Sequence, residues 1–330
     1  MDLRHDLLEV AAKYELNPQQ TRLLLDEAQL GAEPDGLDAK LPRVVAALAA
    51  ALGGLGVVMW IAANWEQIGR PSQFALLQGL VLSAGLGAAL RPNMRPPLTL
   101  LAQLGIGALF ACFGQTYQTG ADPWQLFALW SVLSLPLCWG ARSDLLWTPW
   151  ILITATAIAL WIHTYSGYRW YVTPALLRTH LTGWFASLLM VGLVCPQGHR
   201  VTGAGMWSFR LAAALTVSAI TTTALSGLFD GKALPAFHFG LLLLAACAAW
   251  LSTRKGFDVF ALSTTALGLI TLVICRLAST LGASLWHDDW FGGLLLITIT
   301  ATALLAGSVT GILKISRRYN TVPEAEGEAA

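Results

Sequence analysis

The sequence predicts an all-α, polytopic transmembrane bundle with about ten spanning helices. Of its 330 residues, 55% are hydrophobic and 12% are charged. Soluble globular proteins carry about 25% charged residues, so this chain has too few to cover a water-soluble surface of its size. Apolar runs of about 20 residues recur along it, which is the length a helix needs to cross a bilayer. The lipid bilayer is therefore the first predicted partner.

Ten runs are long and apolar enough to be spanning helices. Tryptophans lie near many of their ends, as in the aromatic belts of membrane interfaces. An even number of crossings would leave both termini on one side of the membrane. The predicted spans are residues 44–63, 74–90, 98–118, 124–140, 145–163, 181–195, 211–229, 235–252, 257–277 and 291–313.

Two polar segments flank the predicted bundle, which covers residues 41–315. Residues 1–40 contain leucines at helical spacing and then the pair Asn17-Pro18, which is typical of a helix start. We predict a cytoplasmic helical hairpin here, which either docks a partner or packs beneath the bundle. Residues 316–330 are predicted to be a disordered cytoplasmic tail.

The distribution of Lys and Arg predicts the orientation. Cytoplasmic loops of membrane proteins carry an excess of these residues. With the N-terminus inside, the excess falls on the cytoplasmic side, which predicts a bacterial inner-membrane protein with both termini in the cytoplasm. The inner set is Lys40, Arg43, Arg91, Arg95, Arg142, Arg200, Arg210, Arg254, Lys255, Lys314, Arg317 and Arg318, and the outer set is Arg70, Arg169, Arg178, Lys232 and Arg276.

Composition and motifs exclude several functional classes. A net charge of +1 indicates no nucleic-acid partner. The chain contains no H-E-x-x-H, G-x-S-x-G or Walker motif, and its histidines lack metal-ligand spacing. Its five cysteines form no C-x-x-C pair and lie in or beside apolar runs, where we expect them to act as small buried side chains. We therefore predict no enzyme activity, no metal and no cofactor.

Small residues recur at every fourth position in two of the runs. Such faces let helix backbones approach closely in membranes, where no hydrophobic effect drives association. We predict that both faces pack against neighbouring helices. They are Gly79, Ser83 and Gly87 in the second run, and Ala303, Gly307 and Gly311 in the tenth.

Hydrogen-bonding side chains gather at the predicted outer ends of the first and third spans. A buried amide without a partner costs several kcal/mol, so these groups should bond one another, the backbone or water. Gln103 and Gln78 would extend the network inward. The pattern indicates either an interhelical cluster that holds the bundle together or an outward-facing ligand site. The candidate residues are Asn64, Trp65, Glu66, Gln115, Tyr117, Gln118 and Asp122.

Three stretches also carry a family resemblance. They are GGLGVVMWIAANWEQI, GQTYQTGADPWQLFALW and LPLCWGARS, within residues 44–143. Together they resemble the bacterial membrane family known as domain of unknown function 2157. The resemblance implies a polytopic inner-membrane protein and assigns no catalytic residue. Some members have His at the position of Gln118, which weakens any role that needs a titrating group there.

Two functional hypotheses follow. The first is a protein that binds or transports a small polar solute at the outward-facing candidate residues. The second is a structural or assembly scaffold for other membrane or envelope proteins, in which the same residues hold helices together. The spans contain almost no ionisable residue near their midpoints, which argues against proton-coupled transport.

Overall fold

The structure, a computed structural model, describes residues 3–14, 16–27, 37–64, 67–117, 120, 122–167, 172–229, 234–285 and 290–320. All secondary structure within these ranges is helical, which confirms the predicted all-α class. The helices are α1 Leu3–Lys13, α2 Pro18–Glu27, α3 Leu37–Ala63, α4 Arg70–Leu90, α5 Arg95–Tyr117, α6 Pro123–Ala141, α7 Asp144–Tyr165, α8 Leu177–Leu193, α9 His199–Thr202, α10 Met206–Phe229, α11 Leu234–Leu251, α12 Val259–Leu285 and α13 Trp290–Asn320.

The N-terminal unit contains α1 and α2, which contact each other across a short turn. Asn17 begins α2 with a reciprocal cap. Its Oδ1 accepts from the backbone N–H of Gln20 at 2.8 Å, and Gln20 Oε1 accepts from the backbone N–H of Asn17 at 3.0 Å. This capping box satisfies donors that a helix start leaves unpaired, and it explains why the helix begins there. The segment predicted to end the hairpin, residues 31–36, lies outside the described residues.

Ten spans of the described chain are long and apolar enough to cross a membrane, in agreement with the predicted number. They range from 18 to 29 residues. The largest differences from the predicted bounds are at the sixth span, which begins at Pro174 rather than at residue 181, and at α12, which ends at Leu285 rather than at residue 277. The last helix continues to Asn320, so the predicted tail is helical over residues 316–320, and residues 321–330 lie outside the described ranges.

Helix α10 is the centre of the second unit. It contacts α7, α8, α11 and α12, and half of its membrane window is buried by protein. At the other extreme, none of the window of α13 is buried. The core beside α10 forms two clusters, one around Trp147 and Phe209 and the other around Trp184 and Ile220. A third, smaller cluster joins α3, α4 and α5 at Ile61, Leu77 and Cys112.

Successive spans run in opposite directions, so the second unit has two ends. We call one the pinned end; it contains Arg142–Asp144, residues 194–206 and residues 252–258. We call the other the cluster end; it contains Asn64, Tyr117 and Asp122, where α3 and α5 finish and α6 begins.

Most of the glycines in the two predicted packing faces do not meet a neighbouring helix. Of the two predicted faces, Gly87 meets Leu98, whereas no atom lies within 4 Å of a Cβ added to Gly79, Gly307 or Gly311. The close approaches are elsewhere. A Cβ on Gly107 would lie 2.3 Å from the Trp130 ring, and one on Gly183 would lie 2.4 Å from Ile162. Helix rotation within the bundle decides which small residues face a neighbour, and spacing along one helix does not report it.

Candidate functional site

Four of the seven candidate residues fall within the described ranges, and all four lie at the cluster end. Asn64 follows α3, Gln115 and Tyr117 are in the last turn of α5, and Asp122 precedes α6. Trp65, Glu66 and Gln118 lie outside the described residues. The structure therefore brings together the ends of the helices that carry these side chains.

Asn64 uses its amide to end its own helix. Its Nδ2 donates to the carbonyl of Trp60 at 2.9 Å. The carbonyl of Asn64 accepts from the backbone N–H groups of Gln67 and Ile68 at 3.1 and 3.0 Å. These bonds pair carbonyl groups that a helix end leaves without intrahelical donors. Asn64 thus acts locally and reaches none of the other described candidates.

Gln115 and Tyr117 point away from the protein interior. Tyr117 is 58% exposed, and its ring lies against Phe113 and Phe74 with centroid separations of 5.0 and 6.0 Å. Gln115 is exposed and has no hydrogen-bond partner among the described residues. Neither side chain lines the two cavities described below.

Asp122 sits at the position from which an aspartate normally caps a helix. Its backbone is extended, with φ −61° and ψ 140°, and Pro123 follows at the first helical position. Its carboxylate nevertheless caps no backbone N–H of α6. Its backbone carbonyl accepts from the N–H of Gln125 at 3.0 Å.

The predicted inward extension of the network is absent among the described residues. Gln78 is exposed on α4. Gln103 is fully buried on α5, and neither of its side-chain polar atoms has a described hydrogen-bond partner. A different amide, Gln73, is buried and donates to the carbonyl of Ile68 at 2.8 Å. The sequence pointed to Gln78 of α4, but the structure buries Gln73, five residues earlier in the same helix.

Within the described chain, an extensive set of hydrogen bonds between distant segments lies at the pinned end, and the sequence did not predict it. The carboxylate of Asp144, the first residue of α7, accepts from three backbone N–H groups at the start of α10. The distances are 2.9 Å from Gly205, 3.0 Å from Trp207 and 3.1 Å from Ser208. The first amides of a helix lack partners and carry positive partial charge, so a carboxylate satisfies both their bonding and their electrostatics.

Glycines bring the two segments close enough for this bond set. Gly203 has φ +69°, and a Cβ there would lie 2.6 Å from Arg142 Cα. A Cβ on Gly205 would lie 2.6 Å from Asp144 Oδ2. Only glycine adopts the first conformation freely and leaves space at both positions. Nearby, the Trp147 indole donates to the Thr202 carbonyl at 2.9 Å, and the Arg142 guanidinium donates to the Arg200 carbonyl.

Further bonds tie the remaining helices together at this end. Arg210 of α10 donates to Asp258 Oδ2 at 3.1 and 3.0 Å through two nitrogens, and Asp258 Oδ1 caps α12 by accepting from Ala261 N–H at 2.9 Å. Near the end of α13, the Tyr319 hydroxyl donates to the Ser252 carbonyl at 2.8 Å. A helix start at Ser143-Asp144 was readable from the sequence, but its partners lie about 60 residues further along the chain.

Among the described spans lie the following two cavities. One, of about 390 Å³, we call the aromatic groove; its walls are α6, α7 and α8, with Trp124 and Trp161 among its lining residues. The other, of about 220 Å³, lies between α8, α10, α11 and α12 and is almost entirely apolar. No three His, Cys, Asp or Glu residues within the described ranges lie close enough to hold a metal ion, and the five cysteines are free thiols.

Comparisons with known proteins bear on the N-terminal part of the chain. Residues 11–147 match the family model described as "Predicted membrane protein (DUF2157)". This segment includes all three of the stretches that carry the resemblance. A search of curated proteins and a search of solved structures found no match. Residues 11–147 are thus similar to the DUF2157 family of predicted membrane proteins, in agreement with the resemblance that the three stretches carry.

Proposed function

We propose that this protein is a structural or assembly component of the bacterial inner membrane and has no catalytic activity. In this role it binds other membrane proteins through helix faces that its own bundle leaves uncovered. The observation that carries the proposal is the small-residue face of α13, where Ala303 and Gly307 are exposed and no described atom lies within 4 Å of a Cβ built at Gly307 or at the partly buried Gly311.

The packing of α13 supports this assignment. Its partly buried side chains, including Leu304, Ser308, Ile312 and Ile315, lie on one side, and the last two pack against the core cluster around Trp147. Ala303 and Gly307 are exposed and lie about 100° around the helix from that side, at 100° per residue. Small residues on a lipid-facing surface allow close approach of another helix, and interhelical packing in membranes relies on them.

The exposure and local bonding of the described candidate residues at the cluster end favour the same role. Ligand sites are usually concave and surround most of their ligand. Gln115 and Tyr117 are exposed, and Asn64 is bonded within its own helix end. These residues are better suited to end helices and to contact the membrane–water interface than to enclose a solute.

The test replaces one small residue with a bulky one and compares it with a matched position. Ala303→Leu fills the proposed face, whereas Thr302→Leu, one residue earlier, changes an exposed position about 100° away. We expect native mass spectrometry of the purified protein to detect a stoichiometric membrane polypeptide with the native chain and with Thr302→Leu. Ala303→Leu should reduce it about five- to 150-fold, because an overpacked contact costs about 1 to 3 kcal/mol. Equal recovery with both variants would refute the proposed face.

Binding of a small polar solute is the second candidate, and the buried amide of Gln103 is the observation that favours it. A ligand could supply the hydrogen bonds that the described residues do not. Gln103→Met separates the two roles. If no solute binds, the apolar replacement should raise the free energy of unfolding by about 1 kcal/mol, because the unpaired amide is removed. If a solute binds, the variant should lose a bound small molecule in native mass spectrometry and become less stable.

We also propose that both termini face the cytoplasm, on the basis of the Lys and Arg distribution. The pinned end would then be cytoplasmic and the cluster end periplasmic. In a background without the native cysteines, Arg254→Cys should react with a membrane-impermeant maleimide only after the membrane is opened, and Gln67→Cys should react in intact spheroplasts. Both positions are exposed. The reverse pattern would invert the proposed topology.

A further inference from the structure

We propose that the pinned end binds the headgroup of an anionic glycerophospholipid, with exposed basic side chains on its phosphate and exposed apolar side chains against its glycerol and upper acyl region. The site lies in the second unit and involves no residue of α13, so it does not depend on the scaffold role. Its cations, which we call the basic set, are all exposed: Arg142, Arg200, Arg254 and Lys255.

Hydrogen bonds between loops bring the basic set to one part of the surface. The Arg142 guanidinium donates to the backbone carbonyl of Arg200. The segment of Arg200 is joined in turn to the loop after α11, since Gln197 Nε2 donates to the Lys255 carbonyl at 2.6 Å. The loops that follow α6, α8 and α11 therefore carry their cations side by side. An anion placed among them would offset the repulsion between these like charges.

The carboxylates of the pinned end do not neutralise the basic set. Those in the described part of this end are Asp144 and Asp258. Asp144 accepts from three backbone amides at the start of α10, and Asp258 is paired with Arg210, which is outside the basic set. Within the described ranges, no ion pair joins either carboxylate to a cation of the set. The surface is therefore positively charged, and its complementary partner is an anion.

The backbone of Arg142 indicates that its side chain has a role. This residue ends α6 in the left-handed region, with φ 49° and ψ 45°, and it is the one non-glycine residue with positive φ among those that the structure describes. Glycine is the usual residue at such a helix end, because a side chain is strained there. Strained residues of this kind are found mainly at functional sites. The planar guanidinium that this position presents is well suited to a phosphate group.

Exposed apolar side chains beside the arginines favour a lipid over a soluble anion. Val201 follows Arg200 directly, and Met206 and Trp207 begin α10. All three are exposed, and Trp207 is 72% exposed although its backbone N–H is fixed to the Asp144 carboxylate at 3.0 Å. A soluble phosphate ester would leave these apolar groups in water. At a membrane surface they would enter the boundary between headgroups and acyl chains, where tryptophan is enriched.

The experiment titrates the purified full-length protein in detergent with phosphatidylglycerol or phosphatidylethanolamine and counts bound lipids by native mass spectrometry. The first lipid is anionic and the second is zwitterionic. We expect the anionic lipid to bind at least about fivefold more tightly, since one basic residue near an anionic lipid accounts for about that factor. Equal affinity for the two lipids would overturn the proposal.

Two exposed arginines at opposite ends of the bundle provide matched variants. Arg200→Gln removes one charge of the basic set and keeps the backbone carbonyl that Arg142 bonds. Arg178→Gln makes the same change in the first turn of α8, at the cluster end. Arg200→Gln should weaken binding of phosphatidylglycerol about fivefold, and Arg178→Gln should leave it unchanged. Equal weakening by both would mean general attraction to the protein and would refute a site at the pinned end.

Arg142→Gly is a second test, which remains informative if Arg200→Gln fails to fold. This variant loses the guanidinium and gains the residue that the left-handed backbone favours, so it adds no backbone strain. Binding of phosphatidylglycerol should again fall about fivefold, and unchanged binding would overturn the role of Arg142.

A soluble competitor distinguishes a lipid from a free phosphate ester. Glycerol 3-phosphate carries the phosphate without acyl chains, so a tenfold molar excess over phosphatidylglycerol should leave the bound lipid unchanged. Displacement of the lipid at that ratio would assign the basic set to a soluble phosphate ester and overturn the assignment to a membrane lipid.

Discussion

The two ends of the bundle use the same residue types with different results. Asp144 and Asp122 both stand at the start of a spanning helix. The first accepts from three backbone amides of another helix, and the second caps none. The pinned end is therefore held together by bonds between distant segments, whereas the described side chains of the cluster end bond mainly within their own helix ends. A polar residue stabilises a bundle only where the tertiary structure brings it a partner.

This contrast also separates the ends by mobility and by role. Segments with few cross-connections open at lower free energy than densely bonded ones. The pinned end should therefore act as the rigid base of the bundle. At the cluster end, where Gln115 and Tyr117 are exposed, fewer bonds join distant described segments, so we expect this part of the structure to open at lower free energy.

The largest expected difference between the ends is at the two aspartates. Asp144→Ala removes the acceptor of three amides, and we expect the free energy of unfolding to fall by about 2 to 4 kcal/mol. Asp122→Ala removes no described cap, so it should cost less than about 0.5 kcal/mol. Titration of the micellar protein with a denaturing detergent, followed by tryptophan fluorescence, measures both. Similar losses for the two variants would break the comparison.

Two glycines with the same backbone conformation give the next largest contrast. Gly203 and Gly120 have φ +69° and +66°, so an alanine at either position is strained by about 1 to 2 kcal/mol. At Gly203 the new Cβ would also lie 2.6 Å from Arg142 Cα, whereas no atom lies within 4 Å at Gly120. Gly203→Ala should therefore be the more destabilising variant by at least about 1 kcal/mol.

The same unfolding titration measures both glycine variants. If Gly120→Ala were as damaging as Gly203→Ala, then left-handed strain alone would account for both effects, and close packing of the pinned end would contribute nothing.

The smallest contrast concerns two tyrosine hydroxyls. Tyr319→Phe removes the bond to the Ser252 carbonyl and should cost about 1 kcal/mol. Tyr117→Phe removes a hydroxyl from a residue that is 58% exposed, and stability should be unchanged within about 0.5 kcal/mol. Hydrogen exchange at residues 252–258 sharpens the test, because Tyr319→Phe should raise it and Tyr117→Phe should not.

Much of the architecture could be predicted because membrane insertion depends on properties of single segments. The length and apolarity of each run determine whether it spans, and ten runs met both conditions in sequence and in structure. The start of α2 could also be predicted from local sequence, because Asn17, Pro18 and Gln20 act within one turn. The predicted grouping of Asn64, Gln115, Tyr117 and Asp122 at one end followed from alternating helix directions alone.

The side-chain contacts could not be predicted in the same way, because they depend on how each helix is rotated and displaced against its neighbours. Gln103 is buried while Gln78 is exposed, although both are glutamines within apolar runs. Gly107 receives a tryptophan ring, whereas Gly307, within a regular small-residue pattern, receives nothing. In neither pair does the sequence of the helix itself distinguish the residue that contacts a neighbouring helix or is buried from the one that is exposed.

By itself, the sequence determined the membrane environment, the number of spans and the positions of Asn64 and Gln115 at the ends of α3 and α5, since each follows from the hydrophobicity and order of segments. The tertiary structure alone decided that Asp144 would cap α10, that α10 would be central and that Trp124 would line a groove. Those outcomes require two segments far apart in the chain to meet at hydrogen-bond or van der Waals distance, and such a meeting is set by the packing of the whole bundle.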